Sequence, residues 1–374
     1  MHIAIIRNSS NYLNPYLYNC QEIGLAKALE DKGHFVDIYM KGNQTKDYVE
    51  VLTPKVRIFF LKGTSLPGQN SFYPQIFNYF RQNKYDIIQV SEDSQIMSVF
   101  ISSYARRNNI PVILWQGMYE NYRNPIKRVI QYFFDVIFLP ILRKNVSLVI
   151  CKTSAAEGYM KRKKFYNTKV LGVGLNITSF KEEDIDWYKR LNIANDKKIL
   201  LYVGKIEQRR NPFFLMDVIE TLSREDFVLV IVGDGPLRNS VSSRIYEKSL
   251  FHKIKLVENI PQEMIGSLYK QAYIFLLPSF YEIYGMVVLE CMFFGLPIIA
   301  SVTAGTADLI DNNKDGFLIE EFDKNKWSKL IDRCLSDHEM VKMFKERLMK
   351  KFREGYSWER IGEKYEEVYK SILK

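Results

Sequence analysis

The sequence predicts an α/β protein with two doubly wound parallel-sheet domains. Its 374 residues exceed what one hydrophobic core usually serves, and 47% of them are hydrophobic, enough for two cores. Short apolar runs rich in Val, Ile and Leu alternate with longer amphipathic stretches, as expected for strands joined by crossover helices. A charged stretch at residues 177–198 interrupts this alternation, so we expect the two domains to join there.

The first half opens with a predicted strand at residues 3–6 and a helix over residues 20–31 that Lys32 and Gly33 end. The βα alternation then continues. Further strands are predicted at residues 35–39, 56–60, 86–90, 112–115, 148–151 and 169–173, and helices from residue 73, from residue 95 and over residues 125–144.

The second half repeats the pattern from residue 199. The predicted strands are residues 199–203, 227–232, 253–257, 273–277, 297–301 and 317–319. The predicted helices are residues 212–222, a helix from residue 237, residues 262–271 and 286–294, and two or three helices that end the chain.

Composition narrows the class of protein. Four cysteines without a C-x-x-C pair and four histidines without metal-ligand spacing indicate a reduced, metal-free cytoplasmic protein. The longest apolar stretch is interrupted by Gln131, Asp135 and Pro140, so we do not expect it to span a membrane. The net charge of +10 favours anionic partners, but no pattern typical of specific nucleic-acid binding is present.

Ligands of doubly wound sheets bind beyond the carboxyl ends of the strands, so the loops after the second-half strands are candidate sites. The first loop contains Gly204, Lys205 and Arg210, and leads to Asn211 as a predicted helix cap with Pro212 at the first helical position. This loop is either an anion-binding turn or solvated basic surface. The next loop, residues 233–236, begins with Gly233 and either lets backbone approach a ligand or simply turns the chain.

The loop before the predicted helix at residues 286–294 is the most informative. It carries Glu282, and Glu290 follows about a turn and a half inside the helix. The helix N-terminus offers unpaired N–H groups to phosphate, and Gly285 lets a ligand come close. The two oxygens of Glu290 suit paired hydroxyls such as those of a ribose; the alternative is a carboxylate satisfied by a core partner.

Together these segments resemble the retaining, nucleotide-sugar-dependent glycosyltransferases of family 4. The similarity is strongest over residues 199–301 and looser in the N-terminal half. It is carried by an E-x7-E pattern, Pro278-Ser279-x-x-Glu282-x-Tyr284-Gly285-x-x-x-Leu289-Glu290, by Val203-Gly204-Lys205 with Arg210, and by Val232-Gly233-Asp234-Gly235-Pro236.

The resemblance implies a GT-B fold, in which two Rossmann-like domains face a cleft. Residues 1–178 would form the acceptor-binding domain and residues 179–355 the donor-binding domain. Residues 356–374 would form a C-terminal helix that packs back on the first domain.

The resemblance also implies the role of each site residue. Lys205 and Arg210 would hold the donor diphosphate, Glu282 would contact the transferred sugar, and Glu290 would bind the ribose hydroxyls. Two cations and a helix N-terminus would replace a metal ion, so no cofactor is expected. The remaining implied donor-binding residues are Gly204, Gly233, Ile283, Tyr284, Gly285 and Met286.

Two departures from the family concern the acceptor side. Many relatives carry a Gly-Gly pair after the first strand, where this chain has a glycine-free loop beginning Arg7, Asn8 and Ser9. Many also place a histidine where Gln116 stands. Asn8, Ser9 and Gln116 are the acceptor-side candidates, although glutamine cannot act as a general acid or base near neutral pH.

The predicted function is hexosyl transfer, with retention, from a UDP- or GDP-type sugar nucleotide to a glycan or lipid-linked glycan acceptor, in surface polysaccharide or glycoconjugate synthesis. Two alternatives stay open. One is another enzyme of the same fold, a nucleotide-sugar epimerase or a phosphorylase. The other is a non-catalytic scaffold that binds sugar nucleotides.

The segment from Arg123 to Lys144 combines basic and aromatic residues. One interpretation is a patch that holds the protein on an anionic membrane, at the inner face of the cell membrane, near a lipid-linked acceptor. The other is an amphipathic helix packed in the first domain.

Overall fold

The computed structural model describes residues 1–10, 20–181 and 184–374, and the chain divides into two compact units. Unit 1 comprises residues 1–174 and 358–374, and unit 2 comprises residues 175–357. Glu182 and Glu183 of the predicted connection lie outside the described residues, as do residues 11–15 of the loop after the first strand.

Strands and helices alternate along the described residues. The strands are β1 His2–Arg7, β2 Phe35–Lys41, β3 Tyr48–Thr53, β4 Val56–Leu61, β5 Thr64–Leu66, β6 Asn70–Phe72, β7 Ile87–Ser91, β8 Val112–Gln116, β9 Leu148–Cys151, β10 Thr168–Val170, β11 Lys198–Val203, β12 Phe227–Val232, β13 Ile254–Val257, β14 Ala272–Leu277, β15 Ile298–Ser301 and β16 Gly316–Ile319. The α-helices are α1 Gln21–Glu30, α2 Ile76–Gln82, α3 Ile96–Arg107, α4 Pro125–Asn145, α5 Ser154–Arg162, α6 Trp187–Arg190, α7 Pro212–Thr221, α8 Arg238–Glu247, α9 Gln262–Gln271, α10 Met286–Phe294, α11 Ala304–Leu309, α12 Lys324–Ser336, α13 His338–Gly355 and α14 Trp358–Leu373.

Unit 1 contains an eight-stranded sheet with the order β10-β9-β8-β7-β1-β2-β4-β3. All neighbours are parallel except the edge strand β3, which is antiparallel to β4. The chain leaves β1 toward β2 and later returns to β7 on the other side of β1, so the loops after β1 and β7 meet at the point where the strand order reverses.

The last helix, α14, belongs to unit 1 and packs on α1. Trp358 at its start is 8% exposed and covers Gly24 of α1, where an added Cβ would lie 2.1 Å from the indole ring. Further along, the Tyr369 hydroxyl donates a 2.6 Å hydrogen bond to Gln89 of β7. The end of the chain is thus anchored in the core of unit 1.

Unit 2 contains a six-stranded, fully parallel sheet with the order β13-β12-β11-β14-β15-β16. The order reverses between β11 and β14, which places the loops after these two strands side by side. Those loops are residues 204–211 and 278–285. The predicted fold of two Rossmann-like parallel-sheet domains is confirmed in each unit.

The structure corrects several predicted elements. Helices α5 and α11, the edge strand β3 and the hairpin of β5 and β6 were not predicted. Helix α2 begins at Ile76 rather than at residue 73, and β10 ends at Val170 rather than at residue 173. By contrast, β9, β12, α9 and α10 have the predicted bounds.

Candidate functional site

Two loops at the carboxyl end of the unit 2 sheet are tied together through their backbones. Gly204 N–H donates to the Val232 carbonyl at 3.0 Å, and Ile206 N–H donates to the Asp234 carbonyl at 2.8 Å. Gly233 has φ +150°, and a Cβ there would lie 2.0 Å from the Gly204 carbonyl oxygen. Only glycine fits this position, so the predicted turn after β12 has a structural reason for its first glycine.

An ion pair joins the loops after β11 and β14. Arg210 Nη1 lies 2.6 Å from Glu282 Oε1, and Arg209 Nη1 lies 3.5 Å from the same oxygen. Arg209 also donates to the Tyr281 carbonyl at 2.7 Å. Glu282 is only 4% exposed, so a buried carboxylate lies between two guanidinium groups at the reversal of strand order.

The contact between Arg210 and Glu282 joins opposite charges, but its geometry is not that of an aligned hydrogen bond. Nε and Nη1 of Arg210 and Oε1 of Glu282 are buried without an aligned hydrogen-bond partner among the described residues. Buried groups of this kind are costly unless something satisfies them. Both side chains therefore keep hydrogen-bonding capacity for a ligand.

Lys205 lies further out than Arg210. Its side chain is 63% exposed and its Nζ is 3.7 Å from Glu207. Pro212 occupies the first position of α7, as predicted. The predicted capping by Asn211 is wrong in one respect, because this residue adopts a left-handed conformation, φ 53°, and its side chain forms no capping hydrogen bond among the described residues.

Helix α10 begins directly after the Glu282 loop, with Gly285 as its N-cap residue at φ +82°. Within it, Glu290 is 6% exposed and accepts hydrogen bonds from Tyr269 Oη at 2.6 Å and Gln262 Nε2 at 3.1 Å. Burial raises the pKa of Glu290 even though these donors and Arg210 favour its charged form. Core partners thus satisfy this carboxylate here, and its contact with a ribose stays a prediction.

Helix α11 packs against the backbone of the Glu282 loop. Gly305 N–H points at the Glu282 carbonyl at 3.4 Å, and a Cβ on Gly305 would lie 2.0 Å from the Tyr284 carbonyl oxygen. Thr303 and Thr306 form a capping box that fixes the start of α11. Ile283 is half-buried, whereas Tyr284 and Met286 are buried beside it.

Arg238, in the first turn of α8, was not predicted as a site residue. Its Nη1 donates to the Gly233 carbonyl at 2.7 Å and to the Val257 carbonyl at 3.0 Å, which ties the turn after β12 to the end of β13. A single arginine in a helix has no sequence pattern that could reveal this contact. Arg209 was not predicted as a site residue either, although it contacts the same carboxylate as Arg210.

The acceptor-side candidates lie in unit 1. Asn8 is fully buried; its Nδ2 donates to Ser98 Oγ at 2.7 Å, and its Oδ1 accepts from the Tyr73 hydroxyl. Ser9 forms an isolated antiparallel bridge with Asn70. These contacts give both residues structural roles, and their contact with an acceptor stays a prediction.

Gln116 is also fully buried. Its Oε1 accepts from the Asp93 N–H at 2.9 Å, and its Nε2 donates to Asp93 Oδ1 at 3.2 Å and to the Met118 carbonyl at 3.0 Å. Asp93 in turn contacts Lys163 Nζ at 2.6 Å. The Gln116 side chain therefore orders the loops after β7 and β8.

Glu92 and Lys152, which sequence reasoning missed, lie at the same edge of the unit 1 sheet. Glu92 has φ 61° and accepts from the N–H groups of Gly117 and Met118, both at 3.1 Å. Its pKa is raised by burial, and burial lowers the pKa of Lys152, whose Nζ lies 4.1 Å from the Trp115 ring centroid. A glutamate in the left-handed region of backbone conformation is strained, and the residue type alone does not reveal this conformation.

The D-x-D sequence at residues 184–186 has a structural role. Asp186 caps α6 by accepting a hydrogen bond from the Lys189 N–H at 2.9 Å. Across residues 1–10, 20–181 and 184–374, no group of three or more His, Cys, Asp or Glu side chains is placed to hold a metal ion.

Comparison with known proteins bears on what this site does. Residues 183–351 match the family model Glycosyl transferases group 1. This match supports the conclusion that the chain is a glycosyltransferase. It covers a little under half of the chain and includes Glu282, Glu290, Lys205 and Arg210.

Proteins with similar sequences are named as glycosyltransferases. An uncharacterized glycosyltransferase of Methanocaldococcus jannaschii is 28% identical over 211 residues, which are 55% of this chain and 54% of that protein. The chain spans about half the length of the first two curated relatives it matches. The UDP-Gal:alpha-D-GlcNAc-diphosphoundecaprenol alpha-1,3-galactosyltransferase of Escherichia coli is 22% identical over 96% of this chain and 95% of its own length.

Solved structures with the same fold cover the whole chain. Sucrose-phosphate synthase from Thermosynechococcus elongatus has a TM-score of 0.79 at 21% identity and covers 100% of this chain and 99% of its own. HepE of Anabaena in complex with UDP and glucose has a TM-score of 0.76 at 17% identity, covering 99% of this chain and 100% of its own.

Proposed function

We propose that this chain is a retaining glycosyltransferase that moves a hexose-type sugar from a UDP- or GDP-type donor to a glycan or lipid-linked glycan, without a metal ion. The observation that carries the proposal is the position of Glu282, buried between Arg209 and Arg210 and directly before the N-terminus of α10. The name of the Escherichia coli relative, with its UDP-galactose donor and diphosphoundecaprenol acceptor, supports the donor and acceptor classes.

The charges of this site suit cleavage of an anomeric bond. As that bond breaks, negative charge grows on the nucleoside diphosphate and positive charge grows on the sugar. Arg210, Lys205 and the first N–H groups of α10 would stabilise the diphosphate. The Glu282 carboxylate would face the sugar, and the acceptor would attack from the side on which the leaving group departs.

The test follows release of nucleoside diphosphate from UDP- and GDP-sugars with glycan and lipid-linked acceptors. Glu282→Gln keeps the size of the side chain and removes its charge, and we expect turnover to fall by about a hundredfold or more. Glu225→Gln, a 60% exposed carboxylate paired with Lys253, is the matched control and is expected to leave turnover unchanged.

Three outcomes would contradict the proposal. Wild-type turnover by Glu282→Gln would remove this residue from the site. Epimerisation or hydrolysis of the donor without an acceptor would indicate a nucleotide-sugar epimerase or related enzyme. Nucleotide binding without turnover of any donor would indicate a scaffold.

A further inference from the structure

Helix α4 has two apolar faces. Its inner face enters the core of unit 1 through Leu139 and Leu142, which are 6% and 0% exposed. Phe134 and Phe138 pack against the same core. The opposite face carries large apolar side chains between 37% and 72% exposed, and we call them the outer stripe: Ile126, Val129, Ile130, Phe133, Val136, Ile137 and Ile141.

The spacing of the outer stripe places its members on one line along the helix. Ile126, Val129, Ile130 and Phe133 follow the i, i+3, i+4, i+7 rule, and Val136, Ile137 and Ile141 continue it. A helix on the surface of a soluble domain normally presents polar residues on this side. The 21 residues of α4 extend over about 31 Å, so the stripe is long enough to mark an interaction surface.

Basic residues stand at both ends of the stripe. Lys127 and Arg128 lie in the first turn of α4, and Arg143 and Lys144 lie in the last. Asp135 is the only acidic residue of α4, all of which the structure describes, and it is held by Lys163 at 2.9 Å, away from the stripe. Helix α4 is therefore apolar along the outer stripe and carries positive charge in its first and last turns.

We propose that the outer stripe docks on the surface of an anionic lipid bilayer, with α4 lying in the interface plane. The apolar side chains would enter the boundary of the acyl chains while the terminal cations contact lipid phosphates. Among the described residues, no helix is long and apolar enough to cross a membrane. A lipid surface suits the stripe better than a second copy of the chain, because antiparallel pairing of two α4 helices would bring cations against cations. This proposal does not depend on the transferase activity.

The test is flotation of the full chain with vesicles of phosphatidylcholine alone and of an equal mixture of phosphatidylcholine and phosphatidylglycerol. We expect binding to the anionic vesicles that weakens with salt. Replacing Ile130 and Phe133 together by glutamate is expected to reduce this binding roughly tenfold or more. The double variant Lys127→Gln, Lys144→Gln is expected to lose roughly fivefold per charge removed, on anionic vesicles only.

The matched control changes Tyr246 and Phe251 of unit 2 to glutamate. These side chains are 81% and 61% exposed, and their replacement is expected to leave flotation unchanged. All variants alter exposed side chains, so thermal melting should match that of the wild type.

Failure of the wild type to float with anionic vesicles would overturn the proposal. Equal flotation of the wild type and the Ile130 and Phe133 variant would overturn it as well. A dimer in light scattering that this variant dissociates, without lipid binding, would assign the outer stripe to a second copy of the chain.

Discussion

At the scale of single residues, buried charge in this protein is held by converging donors. Asp37 of β2 is 1% exposed and accepts from Arg57 Nε and Nη2 at 2.7 Å each, from Tyr85 Oη at 2.6 Å and from His2 Nε2 at 2.9 Å. Burial alone would raise the pKa of Asp37, but the hydrogen bonds from His2, Arg57 and Tyr85 outweigh it and lower this pKa.

Because folding lowers the pKa of Asp37, the contribution of this residue to stability depends on pH. The contribution is present above the pKa of about 3.9 of an unfolded aspartate and is lost as the pH falls through the lower folded value. Asp37→Asn is expected to reduce the free energy of unfolding by about 1–3 kcal/mol at pH 7, because it removes the charged acceptor of several hydrogen bonds while Arg57 keeps access to solvent. It should also flatten the loss of stability below about pH 4. Urea unfolding from neutral pH to pH 3 measures the stability at pH 7 and its decrease in acid. A variant that loses stability below pH 4 as steeply as the wild type would contradict this role.

How far single residues could be predicted depends on whether a pattern surrounds them. Glu282, Glu290 and Arg210 stand in a recognisable arrangement of loops, and the structure places Arg210 and Glu282 in contact. Glu92 and Arg238 act through backbone carbonyls and N–H groups, and such contacts exist only once the chain is folded.

At the scale of elements, the strands with continuous apolar runs were predicted well because both of their faces are buried. β12 is buried at all six positions and has the predicted bounds. The elements that were not predicted lack such continuous apolar runs. β3 is an edge strand with half-exposed positions, β5 and β6 have three residues each, and α11 has six.

Helix α11 matters to the site because it supports the Glu282 loop, and Gly305 is the position of closest approach. Gly305→Ala would place a Cβ 2.0 Å from the Tyr284 carbonyl oxygen, so the loop or the helix must move. We expect turnover to fall by about tenfold or more, since such displacements misplace the reacting groups. Steady-state kinetics and thermal melting together separate this effect from unfolding.

Gly355, at the end of α13, is the control for this substitution. A Cβ there meets nothing within 4 Å, so Gly355→Ala is expected to leave turnover unchanged and stability equal or slightly higher. Equal turnover of Gly305→Ala and Gly355→Ala would contradict a supporting role for α11.

At the scale of the whole molecule, each unit is organised by the reversal of strand order in its own sheet. In unit 2 the reversal brings together the loops after β11 and β14, which begin 74 residues apart along the chain, at residues 204 and 278. The βα alternation predicted these sheets, and the order of strands explains why motifs distant in sequence form one site. The exposure of the outer stripe of α4 could not be predicted, because periodicity on both faces of a helix does not show which face is covered.

The most direct test of the donor site is thermal melting of the full chain with UDP, GDP and ADP, in EDTA and in magnesium. A nucleotide at a hundred times its Kd stabilises the folded state by about 2.7 kcal/mol, which raises Tm by several degrees. We predict that UDP or GDP gives this rise, that EDTA does not remove it, and that Arg210→Ala and Glu290→Ala each weaken it. No rise with any nucleotide, or an equal rise with Arg210→Ala, would contradict a donor site at Arg210 and Glu282.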